Sequence, residues 1–488
     1  MADLGRLLLE GFTRFADRPA LNDANGTVTY RGLADMAVAV ERALREAGLV
    51  ANEPVLLPVA NEARDAAALI GVWLAGGVAV PVARHAPASA IDAVRVATGA
   101  RLCVTNALDK PVDRIADKAP PDRPLLGGAA LVVFTSGSTG RPKGVVLSHR
   151  AFVGKLEAID SVLGFTARTR TLLVLQITFV FGMWVLLLTL LKGGTAWMQA
   201  RFEPLCALAA LKDQRISEVA LVPTMLRKFL ALDEKLSAPL VASTALERIL
   251  TGGEPFDHAL STRLHDFMPS VRVVDIYGLT ETCSSDFFLT ADEREAFPGT
   301  IGRPGTGLQF RIADDRGREL PGGTVGELQI RTPFVMNGYL DDPELTRAAF
   351  ADGYFRTGDL ARARSDGRVE LAGRIKDLIN RGGAKVSPLE LDHLLAQHPA
   401  VAAALTAGVP DPIMGERIHA LVVPRSNSGI DEKELREWIA ARVEKFKWPD
   451  VYHFGDQLPI GRTGKVDRGA LRDQALSALP HSQTAERC

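Results

Sequence analysis

Val132-Val133-Phe134-Thr135-Ser136-Gly137-Ser138-Thr139-Gly140-Arg141-Pro142-Lys143-Gly144 runs from an apolar segment into a loop of small hydroxyl residues and glycines that closes on a lysine. The apolar part reads as a buried strand. Glycine lets backbone N–H groups approach phosphate oxygens, Ser and Thr add hydroxyl donors, and Lys143 adds a positive charge. A Walker A loop needs GxxxxGK[ST]; here Lys143 follows Pro142 and precedes Gly144, so that motif is excluded. The plain alternative is a flexible Ser/Gly surface loop. Strand, hydroxyl run, proline and lysine together weigh against it.

Outward from this stretch the pattern is α/β. Residues 29–47 read as a helix, with Leu33, Met36, Ala37, Val40 and Leu44 at helical spacing. Strands are expected at 54–59, 78–82, 131–134, 170–175, 219–222 and 272–276, with a helix over 63–74. Such alternation predicts largely parallel sheets covered by helices. After about residue 299 the glycines 302, 305, 307, 317, 322, 323 and 326 punctuate short runs such as 309–312 and 326–330, which reads as β structure with turns. Past Gly373 a helix is expected near Pro388, a strand at 419–423, a helix at 431–444 and a basic closing segment. The expected organisation is α/β. A large N-terminal domain at 1–373, of mainly parallel sheets plus a β-rich subdomain, leads through a hinge at 374–377 to a small mobile α+β domain at 378–488.

The chain has 488 residues, too many for one ordinary domain at ~150 residues each. Apolar residues make up 47% and charged residues 24%, enough for a large core. With 57 Lys+Arg against 58 Asp+Glu, nothing in the charge balance favours nucleic acid or an anionic membrane. Cys103, Cys206, Cys283 and Cys488 are scattered without a CxxC pair, which argues against a disulfide scaffold or zinc site. Asp3, Arg6 and Glu10 do not suit a signal peptide, and Ala485-Glu486-Arg487-Cys488 is not a prenylation box, so a cytoplasmic protein is expected.

Residues 171–191 carry no charge, long enough for a membrane span. Gln176, Thr178 and Gly182 interrupt the run, and Gly193-Gly194 close it as they would a core helix. A buried strand, a turn around Gly182 and a buried helix from Met183 are expected instead, with no membrane span.

Further motifs follow in order: Thr251-Gly252-Gly253-Glu254-Pro255, Asp275-Ile276-Tyr277-Gly278-Leu279-Thr280-Glu281-Thr282, Gly353-Tyr354-Phe355-Arg356-Thr357-Gly358-Asp359-Leu360 and Gly373-Arg374-Ile375-Lys376-Asp377. After them come Asn380-Arg381-Gly382-Gly383-Ala384-Lys385-Val386-Ser387-Pro388-Leu389-Glu390 and Pro459-Ile460-Gly461-Arg462-Thr463-Gly464-Lys465. With the opening loop, these resemble the adenylate-forming superfamily of acyl-CoA synthetases, adenylation domains and firefly-type luciferases. The likeness spans nearly the whole chain and is strongest to acyl-CoA synthetases acting on fatty or aryl acids.

The resemblance implies a carboxylate joined to the α-phosphate of ATP with loss of pyrophosphate. An anion then meets an anion, and the charge must be neutralised. Thr135, Ser136, Gly137, Ser138, Thr139, Gly140 and Lys143 are expected on the phosphates, with Gly253, Glu254, Pro255 and Asp275 completing the ATP site. Tyr277 offers a face to the adenine and Gly278 leaves it room. Thr280 donates to phosphate, and Glu281 with Thr139 would hold Mg2+. Asp359 falls on the ribose hydroxyls, with Arg374 beside ribose and phosphate. Lys465 bridges the carboxylate and the α-phosphate. The second half-reaction passes the acyl group to the thiol of coenzyme A after rotation about Lys376, which exchanges the Lys465 loop for the segment of Gly382, Gly383 and Lys385. Singly, Tyr277 reads equally as core, Asp359 as a helix cap and Arg374 as a surface ion pair. Their order and spacing favour the functional reading.

Family acid pockets map here onto Phe179, Val180, Phe181, Gly182 and Trp184, with Thr224, Met225, Cys283 and Ser284 as further walls. Relatives that activate amino acids carry an Asp where this chain has Val180. A buried ammonium without a carboxylate is costly, so an apolar or aromatic carboxylic acid is expected. Trp184 reads as well as core. The alternative acceptor is the carrier-protein pantetheine of an acyl-carrier protein acting in trans, since no carrier domain follows Lys465. A luciferase-type oxygenase finds nothing specific in the residues. A non-catalytic binding protein would be expected to lose Glu281 or Lys465, and both are present.

Overall fold

Two large sheets share one helical core. The computed structural model describes residues 3–105, 110–118, 120–135, 142–256, 258–294, 296–425, 428–461 and 466–477. The first sheet runs, edge to edge, through Gly338–Tyr339, Lys143–Ser148, Ala129–Thr135, Val78–Ala83, Pro54–Val59, Leu102–Val104 and Val112–Arg114. The second runs through Arg303–Pro304, Phe287–Leu289, Arg272–Tyr277, Arg248–Gly252, Glu218–Leu221, Arg170–Leu173, Thr195–Met198, Pro19–Asp23 and Gly26–Thr29. The centre of each is parallel and the outermost pairs are antiparallel. This is the arrangement that the strand–helix alternation predicts.

One continuous apolar cluster draws Val55 and Leu131 of the first sheet and Leu173 and Ala196 of the second onto the helices Ala63–Leu74 and Val180–Leu191. Both helices are buried on nearly every side, as helices without a polar face must be. Polar tips inside this core find backbone partners: Trp73 Nε1 donates to Ala130 O at 2.8 Å and Tyr30 OH to Gly194 O at 2.7 Å.

The uncharged run 171–191 is therefore a strand, a loop and a buried helix. Its helix starts at Val180, earlier than expected, so Gly182 lies in the first helical turn rather than in a turn before it. A Cβ there would stand 2.6 Å from Gln176 O, so the helix start is pressed onto its own incoming loop. Among the described residues no helix is long and apolar enough to cross a membrane.

A third sheet pairs Gln309–Ala313, Gly326–Arg331, Tyr354–Ala363, Phe350–Ala351 and Val369–Arg374. A fourth holds Ala384–Val386, Ile379–Arg381, Gly415–Pro424, Val401–Asp411 and Val451–Phe454. Sheet membership changes across the single 3₁₀ turn Ile375–Asp377. The helix expected at 431–444 is shorter, Glu432–Ala440.

Candidate active site

Arg170–Leu173, Glu218–Leu221, Arg248–Gly252 and Arg272–Tyr277 lie in parallel, and just past their carboxyl ends come Phe179, Thr224, Glu254 and Gly278. Open parallel sheets bind ligands beyond these ends. Four segments far apart in sequence thus meet at one edge.

Glu254 is the hub there. Its carboxylate accepts from Thr224 N at 2.9 Å and from Thr224 Oγ1 at 2.8 Å. Oε1 also accepts from the amide of Val466 at 3.1 Å. Thr224, expected as an acid-pocket wall, is therefore tied to Glu254 of the expected ATP site. Val466 pairs with Ile460 in an isolated bridge, and Asp467 N donates to Pro459 O at 2.9 Å. Val466 is thereby held at Glu254, with Pro459 and Ile460 paired to Asp467 and Val466. Lys465 itself lies outside the described residues, as do Ser136, Gly137, Ser138, Thr139 and Gly140. The residues flanking that expected phosphate-binding segment are described: Thr135 pairs with Lys143 across an antiparallel ladder, and Lys143 Nζ stands 5.3 Å from the Tyr339 ring centroid.

Tyr277, Asp359 and Arg374 form one connected group. Tyr277 OH donates to Asp359 Oδ2 at 2.5 Å, and Arg374 Nε donates to Oδ1 at 2.8 Å. Asp359 and Arg374 face each other across neighbouring strands. Burial, then the adjacent Asp359 carboxylate, pushes the Tyr277 hydroxyl well above its ordinary range, so it stays protonated and donates. Asp359 in turn holds the Arg374 guanidinium charged. Asp275, one strand position before Ile276, is raised by burial to about 7, with Arg294 pulling the other way.

The segment after Tyr277 folds back tightly. Cys283, Ser284 and Ser285 are successive residues in the left-handed region, with φ of 59°, 68° and 56°. Each such residue costs on the order of 1–2 kcal/mol, so the surroundings must enforce the shape. Gly278 is required here, since a Cβ would stand 2.1 Å from Ser285 N. Glu281 Oε1 accepts from Tyr339 OH at 2.9 Å, and Glu281 O accepts from Met336 N at 2.7 Å. Among the described residues no three His, Cys, Asp or Glu side chains cluster. A divalent cation here would have Glu281 as its described carboxylate ligand. One oriented carboxylate plus nucleotide phosphates and water suits Mg2+.

The expected acid-pocket residues divide. Phe179 caps the helix start and is 40% exposed. Val180 and Trp184 belong to the core, and Phe181 stacks on Trp184 at 5.4 Å. Cys283 is buried, which pushes its thiol up to about 12, and Ser284 is half-buried. Met225 packs between two clusters. The segment entering Phe179 is held by Asn61, which the sequence reading missed. Asn61 is buried with φ of 58°; its Nδ2 donates to Leu175 O at 2.9 Å and its Oδ1 accepts from Ile177 N at 3.0 Å. Tyr339 was missed too. Lys155 is a third: it falls on the helix stripe of Phe152, Leu156 and Ile159, so a charge at that spacing was the available signal.

Gly382 and Gly383, both with positive φ, form the two-residue turn between Ile379–Arg381 and Ala384–Val386, as hairpin twist demands. Gly382 N donates to Met414 O at 2.7 Å, and Lys385 is exposed. Arg381 at the hairpin's end also donates to Phe446 O at 2.7 Å, outside the sheet. Lys376 is exposed in the 3₁₀ turn where the chain changes sheets.

Convergence beyond the carboxyl ends of a parallel sheet marks a ligand-binding position, and likeness to known proteins gives the class of enzyme. The model of the AMP-binding enzyme family matches residues 9–128 and 113–340, and that of the AMP-binding enzyme C-terminal domain matches 390–465. The chain belongs to the AMP-binding enzyme family. It is 32% identical to a feruloyl-CoA synthase of Amycolatopsis sp, over 93% of this chain and 95% of the other. It is 30% identical to the fatty acid–[acyl-carrier-protein] ligase ScoC of Streptomyces coeruleorubidus, over 93% of each. The solved amide bond synthetase McbA of Marinactinospora thermotolerans superposes with a TM-score of 0.85 at 27% identity, covering 97% of this chain and 99% of that one.

Proposed function

We propose that the chain is an ATP-dependent acid–thiol ligase that activates an apolar or aromatic carboxylic acid and passes it to the thiol of coenzyme A. A carboxylate oxygen attacks the α-phosphorus, and the bond to the pyrophosphate oxygen breaks. The thiol sulfur then attacks the acyl carbon, the bond to AMP breaks, and the thiol proton leaves to solvent. In this reading Thr135, Lys143 and the loop between them hold the phosphates, and Tyr277 with Gly278 takes the adenine. Asp359, fixed from both sides by Tyr277 and Arg374, accepts from the ribose hydroxyls. Thr280 donates to the α-phosphate. Mg2+, when bound, would be held by Glu281 and Thr139 and would neutralise phosphate charge. Lys465 brings its ammonium between carboxylate and phosphate, where charge must be offset most. Residues 1–373 and 378–488 act as two domains about Lys376, and rotation brings Gly382, Gly383 and Lys385 to the thiol side.

The observation that best supports this is the bond from Val466 N to Glu254 Oε1, together with the Ile460–Val466 bridge. It keeps Val466, next to Lys465 in sequence, beside Glu254. That suits the first half-reaction. The apolar acid is supported by Phe179 and Phe181, with Val180 buried between them; none offers a partner to an ammonium. A carrier-protein thiol is the second acceptor, favoured by the likeness to ScoC.

The test is pyrophosphate release with ATP across carboxylic acids of graded size and polarity, followed by product analysis with coenzyme A or with carrier protein. Apolar and aromatic acids should release pyrophosphate and yield a thioester. ATP binding without acid-dependent release for any acid would overturn the reading.

A further inference from the structure

We infer that Lys155 and Asp286 are positioning residues for Thr280 and Glu281, resting on the reading above that those two face the nucleotide. Lys155 Nζ donates to Asp286 Oδ1 at 2.7 Å and to Ser285 O at 3.3 Å, and lies 5.4 Å from the Phe334 ring centroid. The Lys155 side chain is 4% exposed and that of Asp286 is 0% exposed. Asp286 also accepts from Thr282 Oγ1, and its own amide donates to Tyr277 O at 2.7 Å. Asp286 thus closes the base of the loop that carries Thr280 and Glu281, and grips it again at Thr282.

The location gives the pair its purpose. Lys155 sits on the helix His149–Leu163, which follows directly from Lys143–Ser148, the strand leaving the phosphate loop. Asp286 directly follows the three left-handed residues 283–285. A buried ion pair therefore spans the two pieces of sequence that would share one triphosphate. Gly154 lets the helix approach, since a Cβ there would stand 2.6 Å from Phe334. Two buried charges are a poor route to stability compared with apolar side chains of similar size. What they add is direction: the lysine must meet both Asp286 and the Ser285 carbonyl, and an apolar contact would leave the turn free to slide. Displacement of a reacting group by ~1 Å is enough to cost on the order of 100-fold in rate.

The experiment uses full-length Lys155→Met, Asp286→Asn, Thr282→Val and the charge-free double Lys155→Met/Asp286→Leu. Three quantities are read: melting temperature, the melting shift caused by ATP with Mg2+, and acid-dependent pyrophosphate release beside thioester formation from pre-made adenylate. The double variant should regain most of the melting temperature lost by the single variants. Its Mg2+-ATP affinity and pyrophosphate release should stay at least ~10-fold down, with thioester formation spared. Thr282→Val, which keeps the shape and loses only the hydroxyl, should show a smaller drop of the same kind. A double variant or Thr282→Val with wild-type melting and wild-type Mg2+-ATP affinity overturns the inference, as does an equal fall of both half-reactions. A wild-type protein with no Mg2+-ATP shift overturns instead the reading of the site on which it rests.

Discussion

The Val466 amide donates to Glu254 Oε1 at 3.1 Å, joining residues 212 positions apart. The same carboxylate holds Thr224 through two donors. Removing it should loosen the docked arrangement while leaving each sheet intact. Glu254→Ala is expected to slow acid-dependent pyrophosphate release by about 10–100-fold, and Glu254→Gln, which keeps one acceptor oxygen, by less. Thioester formation from pre-made adenylate should be spared, and the comparison of the two rates is the check.

Lys465→Ala and Lys376→Pro should split the two half-reactions in opposite senses. The lysine charge is needed while carboxylate meets α-phosphate, so its loss should lower adenylation by about 100-fold or more and spare the thiol step. Proline fixes φ at the exposed turn Ile375–Asp377 and should block rotation, so adenylation survives and thioester formation collapses. Equal losses in both steps for either variant would sink the two-conformation scheme.

Asp359 is shared by Tyr277 and Arg374. In Tyr277→Phe it keeps Arg374 but loses the 2.5 Å donor. The expected effect is a rise in KM for ATP of about 3–10-fold, about the net worth of one ordinary hydrogen bond. Asp359→Ala should raise it further. A fall in kcat at unchanged KM would place Asp359 away from the nucleotide.

Asp275 should give the fold a measurable pH dependence. Its carboxyl is held at about 7 in the fold, against ~3.9 in an unfolded chain. Between those values the folded chain keeps a proton that the unfolded chain has lost. This contribution is fully present below pH ~4 and is lost as pH rises to about 7. Asp275→Asn cannot ionise. Its melting temperature should match wild type near pH 4 and exceed it by a few degrees at pH 8, read by thermal unfolding across that range.

Phe179 and Trp184 should separate selectivity from stability. Phe179 is 40% exposed and Trp184 is fully buried. Phe179→Ala should change the ratio of kcat/KM between a small and a bulky aromatic acid by about 10-fold with little change in melting. Trp184→Ala should cost ~3–5 kcal/mol whatever the acid. A selectivity ratio that moves with Trp184 and not with Phe179 would relocate the pocket.

The strand–helix alternation was legible because buried strands such as Pro54–Val59, and Ala129–Thr135 up to its closing threonine, are apolar without interruption. The glycine-marked turns were legible for the same local reason: Gly278 and Gly382 sit where no side chain fits or where φ is positive. Hidden from sequence was what depends on partners far away. Lys155 looks like one lysine on a helix until Asp286 arrives from another segment. Tyr339 gains meaning only when its strand pairs with Lys143–Ser148 and brings the hydroxyl to Glu281. The start of the helix at Val180 was misplaced because Gly182 resembles a breaker, and only packing against Gln176 O shows why a glycine belongs inside the first turn.

Asn61 has a consequence for how this chain can change its substrate over evolutionary time. It leaves the strand Pro54–Val59 of one sheet and grips the Leu175 and Ile177 backbone, where the other sheet delivers its chain toward Phe179. The segment leading to the proposed acid site is thus also a seam of the molecule. Mutations that reshape the segment at 175–177 must pull against the mortar between the two sheets, and variants there should drain the folded population before they widen the range of acids. The affordable route to a new acid runs through exposed Phe179, so selectivity should drift at that position while the seam stays frozen.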